Sequence, residues 1–119
     1  MGNPVVHFEI SSKDFEKSQA FYRDLFAWSI SKAEGMPYFM VQGEGPNSIG
    51  GGIGPTQDDQ PPGLTFYVQV DDLQAYLDKA ESLGGKTIMP PSPIPEIGSF
   101  AVFADPDGIV IGLYKALDH

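Results

Sequence analysis

One order of elements occurs twice along this chain: strand, helix and three strands, then a turn-rich connector, then the same order again. Residues 5–10 alternate, with Val6, Phe8 and Ile10 on one face and Val5, His7 and Glu9 on the other, which is the period of a strand. Ser11-Ser12-Lys13-Asp14 offers a helix cap, and Phe15, Tyr22, Leu25 and Phe26, with Phe21 beside them, recur at helical spacing. The spacing predicts a helix over residues 14–26 with that stripe turned to the core. Strands are expected at 28–31 and 38–42, joined by Gly35-Met36-Pro37, and at 48–54, where the glycines leave room for a ligand or another backbone. After residue 63 the order restarts. Residues 64–70 alternate, with Phe66, Val68 and Val70 opposite Thr65, Tyr67 and Gln69. Asp71-Asp72 caps a second helix carrying Leu73, Tyr76, Leu77, Ala80 and Leu83, and Gly84-Gly85 ends it. Strands follow at 86–89, 99–104 and 109–114, with Asp105-Pro106-Asp107-Gly108 as a hairpin turn. Setting Asp14 against Asp72 brings Leu25 to Leu83 and His7 to Thr65, so the repeat is one of pattern rather than identity.

The fold class that follows is α+β: two tandem βαβββ modules forming a curved mixed sheet around a cleft. The length of 119 residues suits a single domain. Module 1 is expected at about residues 4–54, a linker at 55–63, and module 2 at about 64–116. The Pro-rich stretch 90–98 reads as a stiff connector or flap. The net charge of −9 argues against nucleic acid, which needs a basic face. No apolar run approaches a membrane span, and no signal pattern opens the chain. The absence of cysteine removes thiolate chemistry and fits a reducing cytoplasmic setting.

Three segments resemble the vicinal oxygen chelate superfamily of glyoxalases, bleomycin-resistance proteins and extradiol dioxygenases. They are His7 with Asp14, Phe21-Tyr22 and Leu25-Phe26-Ala27-Trp28; residues 67–72 with Leu83-Gly84-Gly85; and residues 100–108 running into Ile111-Gly112-Leu113-Tyr114. The resemblance implies paired modules, a cleft and a homodimer. It also implies a divalent metal held by ligands on the first and fourth strands of each module. Of those four places only His7 keeps a ligand. Thr65 and Gly112 stand at two of the others, and the last falls among Gly50, Gly51 and Gly52. A lone imidazole does not hold a transition metal tightly. Glu9, about 6.5–7 Å along the same strand face, would need a third ligand from elsewhere.

Three readings of His7 and Glu9 stay open: a hydrogen-bonded structural pair, a ligand-recognition pair, and general acid–base catalysis with His7 carrying the proton. Thr65, Tyr67, Gly51, Gly112 and Tyr114 are the candidate ligand-binding residues, the tyrosines as walls for a planar molecule. The expected function is metal-independent binding of a neutral or cationic organic molecule. The alternatives are a metal-dependent lyase, isomerase or dioxygenase built around His7 and Glu9, and a metal-free acid–base enzyme using the same pair. No cofactor is expected, a divalent metal being the one alternative. The expected partners are the small molecule and a second copy of the chain.

Overall fold

The computed structural model describes residues 2–56 and 61–117. The middle of the expected linker, Gln57 to Gln60, and the C-terminal His119 lie outside the described residues. The elements run β1 (Val5–Ser12), α1 (Phe15–Phe26), β2 (Ile30–Lys32), β3 (Phe39–Val41), β4 (Gly50–Pro55), β5 (Gly63–Gln69), α2 (Leu73–Ser82), β6 (Lys86–Ile94), β7 (Gly98–Ala104) and β8 (Val110–Ala116). This is an α+β fold of two tandem βαβββ modules. It divides into two compact units: His7–Thr65, and the residues through Val6 together with those from Phe66 onward.

In the His7–Thr65 unit the strands lie in the order β2-β3-β4-β1. β1 pairs in parallel with β4, setting His7 beside Gly50, Phe8 beside Gly51 and Glu9 beside Gly52. β4 pairs antiparallel with β3, and β3 with β2. Asp14 caps α1 by accepting from the Lys17 N–H at 3.1 Å. The helix ends on Ala27, whose φ of 59° is left-handed although the residue carries a Cβ. The apolar stripe of α1 departs from expectation. No residue of the helix is fully buried, and Phe21, Leu25 and Phe26 remain more than half exposed. Phe26, Tyr22 and Trp28 stack on one another, and Trp28 reaches Phe8 at a ring separation of 5.6 Å. The helix lies against β4, Phe15 of the stripe meets Phe39 of β3 at 5.9 Å, and the outer edge of the stripe stays exposed.

In the second unit the order is β5-β8-β7-β6, with β5 parallel to β8 and the other pairs antiparallel. Val70, Leu73, Leu77, Ala101 and Leu113 form its buried cluster, with Val68, Tyr76 and Phe103 packed against them. Asp72 caps α2 through the Ala75 N–H at 3.1 Å. Leu83, expected on the buried stripe, stands at the C-cap and is 70% exposed. The turn at 105–108 forms as expected: the Asp105 carboxylate accepts from the N–H groups of Asp107 and Ile109, and Gly108 takes the positive φ. Of the stretch expected as a connector, residues 90–94 are instead the second half of a long edge strand, and residues 95–97 form the turn into β7. β6 continues through Pro90, Pro91 and Pro93 to Ile94, with Ser92 beside Phe100 and Pro93 beside Ser99. Proline suits a strand that pairs on one side only, and the register shift between Met89 and Ser92 spans Pro90 and Pro91.

Candidate functional site

His7 and Glu9 share a face of β1, and both are partly buried, their side chains 29% and 23% exposed. The two groups approach to 3.4 Å, His7 Nε2 to Glu9 Oε1. A third group joins them. Tyr38, one residue ahead of β3, sends its ring across β4 toward β1. Its hydroxyl donates to Glu9 Oε1 at 2.8 Å and lies 3.1 Å from His7 Nε2. With the phenol proton directed to Glu9, the Nε2–H of His7 is the donor to the phenol oxygen in this network.

The glycine run explains how a residue at the start of β3 reaches β1 across an intervening strand. Neighbouring strands lie about 4.8 Å apart, so the ring must pass directly over β4. Gly52 and Gly54 lie under it. A Cβ on Gly52 would fall on the Tyr38 hydroxyl, and one on Gly54 would sit 2.9 Å from the ring. On the opposite face Gly51 accommodates the Phe8 ring, 2.6 Å from where its Cβ would be. Gly51 therefore does not face the polar cluster. Gly52, the register partner of Glu9, does. The space expected over this run is filled by the chain's own aromatic rings.

The other expected site residues, Thr65, Tyr67, Gly112 and Tyr114, stand on β5 and β8. Thr65 and Tyr67 alternate onto one face of β5, both half-buried. Tyr67 pairs with Gly112, and its ring occupies the place a Cβ on Gly112 would take. Phe100 meets Tyr67 edge-on at 6.5 Å, and the Tyr114 hydroxyl donates to the Ile97 carbonyl at 3.2 Å. Within their unit, Tyr67, Gly112 and Tyr114 thus come together, and the Tyr114 hydroxyl is engaged in holding the β6–β7 turn. Tyr38 is the residue that sequence reasoning missed. The available signal was glycine at 50, 52 and 54, every second position, on the face that pairs with His7 and Glu9.

The model of the Glyoxalase/Bleomycin resistance protein/Dioxygenase superfamily matches residues 5–113. The chain belongs to this superfamily. Among its glyoxalase-like relatives, the protein CFP32 of Mycobacterium tuberculosis is 29% identical over 117 residues, covering 93% of this chain. The anthracycline biosynthesis protein DnrV of Streptomyces peucetius is 30% identical over 124 residues, covering 91%. The chain spans about half the length of these curated relatives, 45% of each. Among solved structures, methylmalonyl-CoA epimerase from Mycobacterium tuberculosis superposes with a TM-score of 0.61 at 15% identity, covering 96% of this chain and 88% of that one. A superfamily member from Vibrio splendidus 12B01 gives 0.64 at 15% identity, covering 98% and 100%. Both structural likenesses show the fold alone.

Superfamily membership raises the question of whether the donors present fit a divalent metal. No three His, Cys, Asp or Glu side chains converge among them. His7 and Glu9 are two donors where a resident ion takes three or four, and the Tyr38 hydroxyl stands within hydrogen-bond distance of both. These residues do not fit a tightly held divalent ion. Among the described residues, no helix is long and apolar enough to cross a membrane.

Proposed function

We propose that this glyoxalase-superfamily chain binds a small neutral or cationic organic molecule at the His7–Tyr38–Glu9 face, without a resident metal. The observation that carries the reading is the setting of Glu9. This carboxylate is about three-quarters buried, yet among the described residues its ion-pair partner is His7 and no lysine or arginine. A sheltered acceptor of this kind favours a ligand that donates hydrogen bonds or carries positive charge, and it repels an anion. One relative is named for anthracycline biosynthesis, a chemistry of organic small molecules.

Two measurements test the reading. Metal content of the untagged protein is determined by mass spectrometry before and after dialysis against a chelator. The expected result is well below one equivalent throughout. A stoichiometric metal that chelator removes, with loss of stability, overturns metal independence and favours a lyase, isomerase or dioxygenase centred on His7 and Glu9. A thermal-shift screen of neutral, cationic and anionic organic compounds then compares the wild type with Glu9→Gln. Hits confined to neutral and cationic compounds, and weakened in Glu9→Gln, are expected. Hits among anions that are insensitive to Glu9→Gln refute the reading.

A further inference from the structure

The contact that Tyr38 makes with His7 and Glu9 has the form of a bound ligand. One oxygen is held by an acceptor at 2.8 Å and a second group at 3.1 Å, and the attached ring lies over two buried glycines. The hydrogen-bonding chemistry narrows what else fits that place. An ammonium only donates, and a carboxylate only accepts; a hydroxyl does both. A glycine floor flanked by neighbouring strands admits a flat ring more readily than a branched chain. We propose that Tyr38 occupies this chain's own ligand site as an internal phenol, and that the site takes up a phenolic molecule from solution when the Tyr38 side chain rotates away. The inference rests on the proposed binding role of the same face and narrows its neutral branch to aromatic hydroxyl compounds.

The displacement has a definite structural meaning. Rotation about the Tyr38 side-chain bonds vacates the surface over Gly52 and Gly54 without breaking a strand pair, because it leaves the backbone in place, with the Tyr38 N–H donating to the Met36 carbonyl and its carbonyl accepting from the Ala33 N–H. The internal phenol competes with the external one. If the rotated state is a minority of about 10% or less, the apparent affinity of the wild type falls about tenfold or more below that of a chain lacking the phenol.

The test uses p-cresol, which is the tyrosine side chain from Cβ outward. Binding to wild type and to Tyr38→Ala is measured by calorimetry, with toluene as the same shape lacking the hydroxyl. The expected result is p-cresol binding to Tyr38→Ala about tenfold or more tighter than to wild type. Toluene should bind distinctly more weakly, and Glu9→Gln in the Tyr38→Ala background should weaken p-cresol. A folded Tyr38→Ala that binds p-cresol no better than wild type, or binds toluene equally, overturns the inference. If Tyr38→Ala does not fold, wild type carrying 3-fluorotyrosine decides the matter. Saturating p-cresol must move the fluorine resonance assigned to Tyr38 by the Tyr38→Phe spectrum, and an unmoved resonance overturns the proposal. Failure here leaves the broader binding role standing if the Glu9-dependent hits of the thermal-shift screen persist. Loss of both sets of results removes the broader role as well.

Discussion

Replacing Gly52 by alanine should destabilise the protein, although the backbone there is one that alanine adopts freely. Gly52 is not among the positive-φ positions, so on backbone grounds alone the change would stabilise by roughly 0.4–1 kcal/mol through the unfolded chain. The new Cβ, however, falls on the Tyr38 hydroxyl. The ring can swing aside, and doing so breaks its bond to Glu9 and its contact with His7. A hydrogen bond to a charged group contributes about 1.5–3 kcal/mol and a neutral one about 0.5–1.5. Both partners are partly exposed, and water recovers part of that, so about 2–3 kcal/mol is the reasonable loss. The net effect is a destabilisation of about 1–2 kcal/mol, or about 4–8 °C in Tm for a chain of this size. Urea unfolding measures it. A double-mutant cycle isolates the cause: in a Tyr38→Ala background Gly52→Ala should become neutral or stabilising, with a coupling of about 2 kcal/mol between the sites. A Gly52→Ala protein as stable as the wild type, or more so, would show that the ring does not lie across β4 as described.

Four further outcomes are expected. Ala27→Gly should raise stability by about 0.5–1 kcal/mol in thermal unfolding, because Ala27 holds the left-handed C-cap of α1 at φ 59°. Asp72→Ala should cost about 1 kcal/mol by removing the N-cap bond to Ala75, and urea unfolding of Asp72→Asn should recover most of it. Leu77→Ala should cost about 2–5 kcal/mol, since Leu77 is 1% exposed. Phe21→Ala, at a residue 59% exposed, should fall within about 1 kcal/mol by the same assay. A large loss at Phe21 would mean that the aromatic face of α1 is covered in solution.

The parts of the fold legible in the sequence are those fixed by neighbours along the chain. The alternation of β1 placed His7 and Glu9 on one face because strand parity is local. Asp14 and Asp72 could be read as caps because their partners, Lys17 and Ala75, lie three residues on. The Asp105 turn is likewise closed by Asp107 and Ile109. Tyr38 was not legible, since its place beside His7 depends on the joint register of β3, β4 and β1, a non-local property. The alternate glycines recorded that something must cross β4, but a ligand, a backbone or a ring satisfies that equally. α1 misled because amphipathic spacing says which face is apolar and not whether anything seals it. The prolines of β6 misled because residue preference disfavours them in strands generally and permits them at edges.

That edge has a consequence for how the protein behaves when crowded or partly unfolded. β6 is nine residues long and pairs, among the described strands, with β7 on one side. A strand of that length with a regular row of amide donors would be a template on which another molecule's strand could grow. Pro90, Pro91 and Pro93 carry no N–H, which thins the donors that β6 can present, and the register shift beside them bends what remains. The same residues that disguised β6 as a connector make it a poor seed for fibres, while still letting it close its own sheet.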